Sequence, residues 1–168
     1  MPPPKGTWNP LEGPGDYTTT EKVHNDTYPA IDPTKADLSG KAVFVSGASR
    51  GVGKSIALSF AKAGASYIAI GARSTLSEVE KDVKQAAVDS GRKEPTVLCL
   101  KLEVSDVESV DNAAREIEKA FGKLDIVINN AAIFGDITNI ADSDPDSWWQ
   151  ICTCARLQWP LVPILICK

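Results

Sequence analysis

Nine residues, Gly47-Ala48-Ser49-Arg50-Gly51-Val52-Gly53-Lys54-Ser55, set three glycines, two cations and two hydroxyls in a row that can grip a phosphate. A glycine turn that opens a helix offers backbone N–H donors and the partial positive charge of the helix start. Two loops share this texture: the P-loop of nucleoside triphosphatases, ending in Gly-Lys-Ser or Gly-Lys-Thr, and the turn that holds a dinucleotide pyrophosphate. The P-loop needs a glycine five positions before the glycine of Gly-Lys-Ser. That position is Ala48. It also needs an acidic residue at the end of a later apolar strand to hold magnesium. The corresponding run ends in Asn129-Asn130, and its Asp125 stands at the start. Lys54 therefore reads as a solvated lysine and Ser55 as an ordinary first-turn residue. The commonest dinucleotide spacing fails too, because Ile56 occupies its third glycine position. Gly47, Gly51 and Gly53 instead fit G-x-x-x-G-x-G between a strand and a helix, where glycine permits positive φ and close backbone approach to a pyrophosphate.

In dinucleotide folds a carboxylate about 20 residues past the glycines binds the adenosine ribose and repels a 2′-phosphate. Nineteen residues past Gly53 stands Ala72, followed by Arg73 and Ser74, with Arg50 in the turn itself. A guanidinium holds a phosphate bidentately, so this pattern favours NADP(H) over NAD(H).

The elements that would position these groups are legible as alternating strands and helices. Ala42-Val43-Phe44-Val45 is a continuous apolar run, as expected of a strand buried on both faces of a parallel sheet. The helix after it carries Ile56, Phe60 and Ala63 on one face and closes at Gly64. Tyr67-Ile68-Ala69-Ile70 reads as a second strand. Thr75-Leu76-Ser77-Glu78 reads as a capping box opening a helix with core residues Leu76, Val79, Val83 and Ala86, closed by Gly91. Val97 to Val104 predicts a third strand, and Ser105-Asp106-Val107-Glu108 a second capping box. Val107, Val110, Ala114, Ile117 and Phe121 then mark an amphipathic helix ending at Gly122. Leu124 to Asn129 is a fourth strand, and Asp144-Pro145 a cap and first position for a further helix with Trp148 and Trp149. This alternation predicts an α/β, Rossmann-like, doubly wound parallel sheet, incomplete at about four strands with flanking helices.

Composition narrows the classes of partner. A net charge of -4 and a pI near 5.0 provide no basic stripe for nucleic acid or an anionic membrane surface. The N-terminus lacks a secretory layout and no run approaches a membrane span, so the expectation is a cytoplasmic protein. Cys99, Cys152, Cys154 and Cys167 match neither a disulfide framework nor a zinc site, and His24, the one histidine, is far from them in sequence. No metal site is expected. Residues 1–37 hold most of the prolines and no apolar periodicity, and read as an extended or disordered arm before a domain at 38–151.

Ser46 to Gly53 resembles the cofactor loop of the short-chain dehydrogenase/reductase family. Asn129-Asn130-Ala131-Ala132 resembles that family's Asn-Asn-Ala-Gly, and Glu103-Val104 its Asp-Val adenine contact. The resemblance covers about Leu38 to Ile151. It implies a cofactor site at Gly47, Ser49, Arg50, Gly51, Val52, Gly53, Arg73, Ser74, Glu103, Val104, Asn130 and Ala131, and an oxidoreductase acting on a carbonyl or alcohol. It also implies a catalytic tyrosine with a lysine four residues on, a serine on a fifth strand and an asparagine on the helix after the fourth. Tyr17, Tyr28 and Tyr67 all lack that lysine, so no catalytic residue is assigned. After Ile151 the chain reads Cys152-Thr153-Cys154-Ala155-Arg156-Leu157-Gln158-Trp159-Pro160, without the asparagine, and residues 152–168 are read as a divergent tail of a shifted frame or unspliced intron. The expectation is an inactive NADP-binding portion of such an enzyme. The alternatives are a non-catalytic nucleotide-binding or interaction module, or a product of a faulty gene model. Substrate and oligomeric state are not legible.

Overall fold

The computed structural model describes residues 27–135 and 138–156. The chain divides into two compact units, Met1–Asp32 and Pro33–Lys168. In the first, the described residues form a turn in which the Ile31 N–H donates to the Tyr28 carbonyl at 2.9 Å. Most of the expected arm lies outside the described residues, as do Pro160, Pro163 and Cys167.

Residues 33–37, read from sequence as the end of the arm, fold with the second unit instead. Pro33–Lys35 is a 3-10 turn, and Arg92 Nη2 donates to the carbonyls of Thr34 and Ala36 at 2.8 and 2.7 Å. The reason lies in a guanidinium that caps two carbonyls at once, an interaction that no local pattern announces.

Four strands form one parallel sheet in the order β3-β2-β1-β4, with β1 at Ala42–Ser46, β2 at Tyr67–Ala72, β3 at Thr96–Lys101 and β4 at Ile126–Ile128. β1 is central among them, pairing Ala42 with Tyr67 on one side and Val43 with Ile126 on the other. All five of its residues are buried, which is why it reads as an unbroken apolar run. Period-two alternation then sorts its side chains. Val43 and Val45 enter a core with Ala57 and Ala61 of α1 (Gly51–Lys62) and Val79 and Val83 of α2 (Ser77–Asp89). Ala42 and Phe44 enter a second core with Val110, Ala114 and Ile117 of α3 (Val107–Phe121) and Cys154 of α4 (Pro145–Arg156). Helices thus cover both faces, and the expected doubly wound class is what the chain adopts.

Several local expectations are corrected. On α1 the fully buried face is Gly53, Ala57 and Ala61, with Ile56 and Phe60 only partly covered. Thr75 does not cap α2: the cap position is Leu76 and no side chain bonds there. On α3 the cap is Asp106, whose carboxylate accepts from the Glu108 N–H at 3.1 Å, and Val107 is half exposed. The third strand stops at Lys101 and the fourth spans only three residues. Asp144 does cap α4, accepting from the Ser147 N–H at 3.0 Å, and Trp148 and Trp149 lie exposed. That helix runs on through Cys152 to Arg156, past the position where the tail was expected to begin.

The sheet is pinned at its N-terminal edge by Asp125. Its carboxylate accepts the Ala42 N–H at 2.8 Å and pairs with Lys41 and Lys123, each at 3.1 Å. The Ala42 hydrogen bond, followed by the two lysines, holds its pKa down to about 2. Because the folded pKa lies below the unfolded value, the stabilisation is complete above about pH 4 and fades as pH falls through 2. Asp125→Asn is expected to cost on the order of 2 kcal/mol at pH 7 and almost nothing near pH 2. Urea midpoints of both proteins at several pH values check this, and a constant difference across that range would refute it.

Candidate functional site

The strand order reverses at β1, which lies between β2 and β4. In open α/β sheets ligands bind beyond the carboxyl ends of the strands at such a switch point. A cavity of about 770 Å³ lies there. It is bordered by all twelve candidate residues: Gly47, Ser49, Arg50, Gly51, Val52 and Gly53 after β1, Arg73 and Ser74 after β2, Glu103 and Val104 after β3, and Asn130 and Ala131 after β4. Four separate turns therefore converge. Ala72, Thr75, Leu102, Ala132, Ile133 and Cys154 complete the wall and were not among the candidate cofactor residues. Leu102, Ala132 and Ile133 are plain apolar residues of a type that marks no ligand site, while Thr75 and Cys154 were read for other roles.

Two of the turns are built into each other. Asn130 Nδ2 donates to the Ser46 carbonyl at 3.0 Å and the Gly47 carbonyl at 3.3 Å. In return, the Ser46 hydroxyl accepts the N–H groups of Asn130 and Ala131, each at 3.0 Å. Ser46 is completely buried, and it was not among the candidates. The available signal was a lone hydroxyl ending an otherwise apolar strand.

This interlock redefines the glycines. At Gly47 the backbone has φ +66°, and a Cβ would stand 2.8 Å from Ala131 Cα. A Cβ at Gly53 would overlap Asn130 Nδ2 and the Gly47 carbonyl. The close approach expected of these two positions is thus made by the neighbouring turn. Gly51, at φ +58°, meets nothing within 4 Å and needs glycine for its backbone alone.

The first-turn residues Gly51, Val52 and Gly53 of α1 border the cavity. Its cap residue Arg50 makes no side-chain cap hydrogen bond, unlike Asp106 on α3. Lys54 is not the solvated lysine expected. It pairs with Asp82 of α2, an ion pair between neighbouring helices, and does not border the cavity.

On the opposite wall Arg73 Nη1 lies 3.5 Å from Glu103 Oε2. Burial pushes the Glu103 carboxyl up, but hydrogen bonds from Ser105 and the Arg73 charge outweigh it and hold the group below the usual carboxylate range. Cys154 faces the same region, its thiol pushed up by burial and then by the Glu103 charge, so it stays protonated. No group of three metal-ligating side chains occurs among the described residues. Tyr67 lies at the start of β2, at the far end of the strand from the cavity, with its ring 5.3 Å from that of Phe121. It is a packing residue. Tyr28 lies in the first unit.

Comparison with known proteins agrees with this geometry. Residues 41–155 match the family described as short chain dehydrogenase. The short chain dehydrogenase pigC of Monascus ruber is 57% identical over 151 residues, covering 90% of this chain and 50% of its own. L-sorbose reductase from Gluconobacter frateurii, solved with NADPH and L-sorbose, superposes with a TM-score of 0.62 at 32% identity, covering 77% of this chain and 49% of its own. An alcohol dehydrogenase from the archaeon Thermococcus sibiricus, solved with 5-hydroxy-NADP, gives a TM-score of 0.59 at 28% identity, covering 74% of this chain and 51% of its own. The chain spans about half the length of each of these proteins.

Proposed function

The chain belongs to the short chain dehydrogenase family, and from that premise we propose that its folded unit holds the phosphorylated dinucleotide NADP(H) in the cavity beyond β1 and β4. The observation that carries the proposal is the convergence of an uncapped helix start, a glycine turn and an arginine on one cavity at the switch point of the sheet. The cavity has the volume of an ordinary small-molecule site, about 300–1,000 Å³.

The N–H groups at the start of α1 bind the pyrophosphate, with Ser49, Gly51, Val52 and Gly53 forming the cradle. Arg73, with Arg50 and Ser74, takes the 2′-phosphate, because the position where a carboxylate would exclude it is Ala72. Glu103 and Val104 flank the adenine, and Asn130 and Ala131 shape the nicotinamide end. The bound dinucleotide supplies a hydride donor or acceptor for a carbonyl and alcohol pair. The residues of this chain bind it, orient it and shield it from water. None of Tyr17, Tyr28 and Tyr67 is followed by a lysine four residues on, so binding without carbonyl reduction is the expected result for these 168 residues. No helix among the described residues is long and apolar enough to cross a membrane, and the proposal places the protein in the cytoplasm.

Calorimetric titration tests this. NADPH should bind more tightly than NADH, and Arg73→Ala should weaken NADPH about tenfold while leaving NADH within about twofold, a modest loss because Arg73 is largely exposed. Unchanged NADPH affinity in Arg73→Ala would remove the assignment of that arginine. Measurable carbonyl reduction by the purified chain would overturn the expectation of inactivity.

A further inference from the structure

We infer that Glu103 limits how strongly the site prefers a 2′-phosphorylated dinucleotide, acting as a fixed counter-charge against the phosphate at Arg73. The inference rests on the dinucleotide reading above and goes beyond it, because that reading gives Glu103 only a contact with adenine.

The two oxygens of Glu103 are in different situations. Oε1 is held by Ser105, whose N–H donates at 3.2 Å and whose hydroxyl donates at 2.7 Å. The main chain of Glu103 is held as well, its N–H donating to Ser109 Oγ at 3.0 Å. Oε2 is the oxygen that faces Arg73 Nη1 at 3.5 Å. The carboxylate is therefore braced from behind by Ser105 of the β3–α3 turn, and its main chain by Ser109 of α3, while the other oxygen faces the arginine. Arg73 is the more exposed partner, its side chain 68% accessible against 36% for Glu103. Parallel pairing of β2 with β3 brings Ala72 opposite Lys101, so the two strands deliver Arg73 and Glu103 to the same edge of the cavity.

A phosphate placed on Arg73 meets this geometry in two ways. It must share the guanidinium with an oxygen that cannot retreat, and it carries a charge of the same sign as that oxygen. Both effects subtract from the attraction that Arg73 provides. An unphosphorylated ribose carries no such charge and does not suffer the repulsion. At the separations of neighbouring side chains in a half-exposed site, removing one like charge is worth about three- to tenfold in affinity. Glu103 is thus a specificity-determining residue that narrows the preference created by Arg73.

The test uses the full chain and four ligands: NADPH, NADH, and the fragments adenosine 2′,5′-bisphosphate and adenosine 5′-monophosphate, titrated by calorimetry. Glu103→Gln retains an oxygen for Ser105 and removes the charge. Glu103→Ser is a second neutral variant should glutamine disturb that turn. Either variant should raise the ratio of NADPH to NADH affinity, and of bisphosphate to monophosphate affinity, about three- to tenfold, any change through the adenine contact being common to both members of each pair. The gain should shrink when salt is raised from about 0.05 to about 0.5 M, which a purely structural role would not produce. If wild type binds the ligands and both neutral variants keep or lower the ratio of NADPH to NADH affinity, the inference fails while the dinucleotide reading stands. If wild type binds none of the four, the dinucleotide reading itself fails and takes the inference with it.

Discussion

Gly53→Ala is expected to reduce dinucleotide affinity at least a hundredfold and to destabilise the domain by about 3 kcal/mol. Intrinsic propensity points the other way, since alanine in place of glycine within a helix favours it by about 1 kcal/mol. Contact geometry decides the sign. The new Cβ would overlap Asn130 Nδ2 and the Gly47 carbonyl, and one of these is backbone. Relieving the overlap means pushing the glycine turn away from the Asn130 turn, which breaks the hydrogen bonds of Asn130 to the Ser46 and Gly47 carbonyls. Overpacking of a tight site costs about 1–3 kcal/mol, and losing these partly buried hydrogen bonds adds to it. Gly51→Ala is the informative control. Its Cβ meets nothing within 4 Å, so it should lose only about 1–2 kcal/mol for the left-handed backbone. Urea unfolding and NADPH titration of both variants provide the comparison. A Gly53→Ala protein as stable and as competent as wild type would show that the two turns are not locked together.

Ser46→Ala should cost about 2–4 kcal/mol, a large effect for the loss of one oxygen atom. The hydroxyl is fully buried and accepts two N–H groups, those of Asn130 and Ala131. Removing the acceptor of a buried donor costs about 1–3 kcal/mol, and here two partly buried donors lose the same oxygen. The loss should also appear in binding, because the turn carrying Asn130 and Ala131 is one wall of the cavity. A midpoint unchanged in denaturant would mean that both amides find other acceptors. Ser46→Cys separates shape from polarity: it fills the volume with a weak acceptor and should recover only part of the stability.

The strands of the central sheet were legible because burial on both faces leaves a plain mark. Val43, Phe44 and Val45 admit no polar residue, and neither do Ile68, Ala69 and Ile70. The glycine turn was legible because few residues can replace glycine there. Strand ends were harder. Leu102 and Val104 are buried although they lie beyond β3, and Leu124 is buried although it precedes β4, so apolar character ran past the hydrogen-bonded ladder at both places. Thr75 had the right chemistry for a cap, but the helix started after Leu76, which turns inward to the core. The pairs Lys54 with Asp82 and Arg73 with Glu103 join residues about 30 positions apart. Neither could be seen in the sequence, because each depends on how two separate turns are brought side by side. The same limit hid Ser46, whose importance comes from a turn more than 80 residues away.

The bare start of α1 has a consequence for the lifetime of the protein. α3 and α4 close their own first turns with Asp106 and Asp144, whereas α1, at the centre of the site, makes no such bond from its cap residue, and neither does α2. A cap side chain that closed this turn would contribute on the order of 1 kcal/mol, which Arg50 does not supply. A ligand that fills this role couples folding to metabolite supply. At a hundred times its dissociation constant it would add about 2.7 kcal/mol, enough to move the melting temperature by several degrees. The abundance of such a protein would then rise and fall with the pool of the molecule it holds.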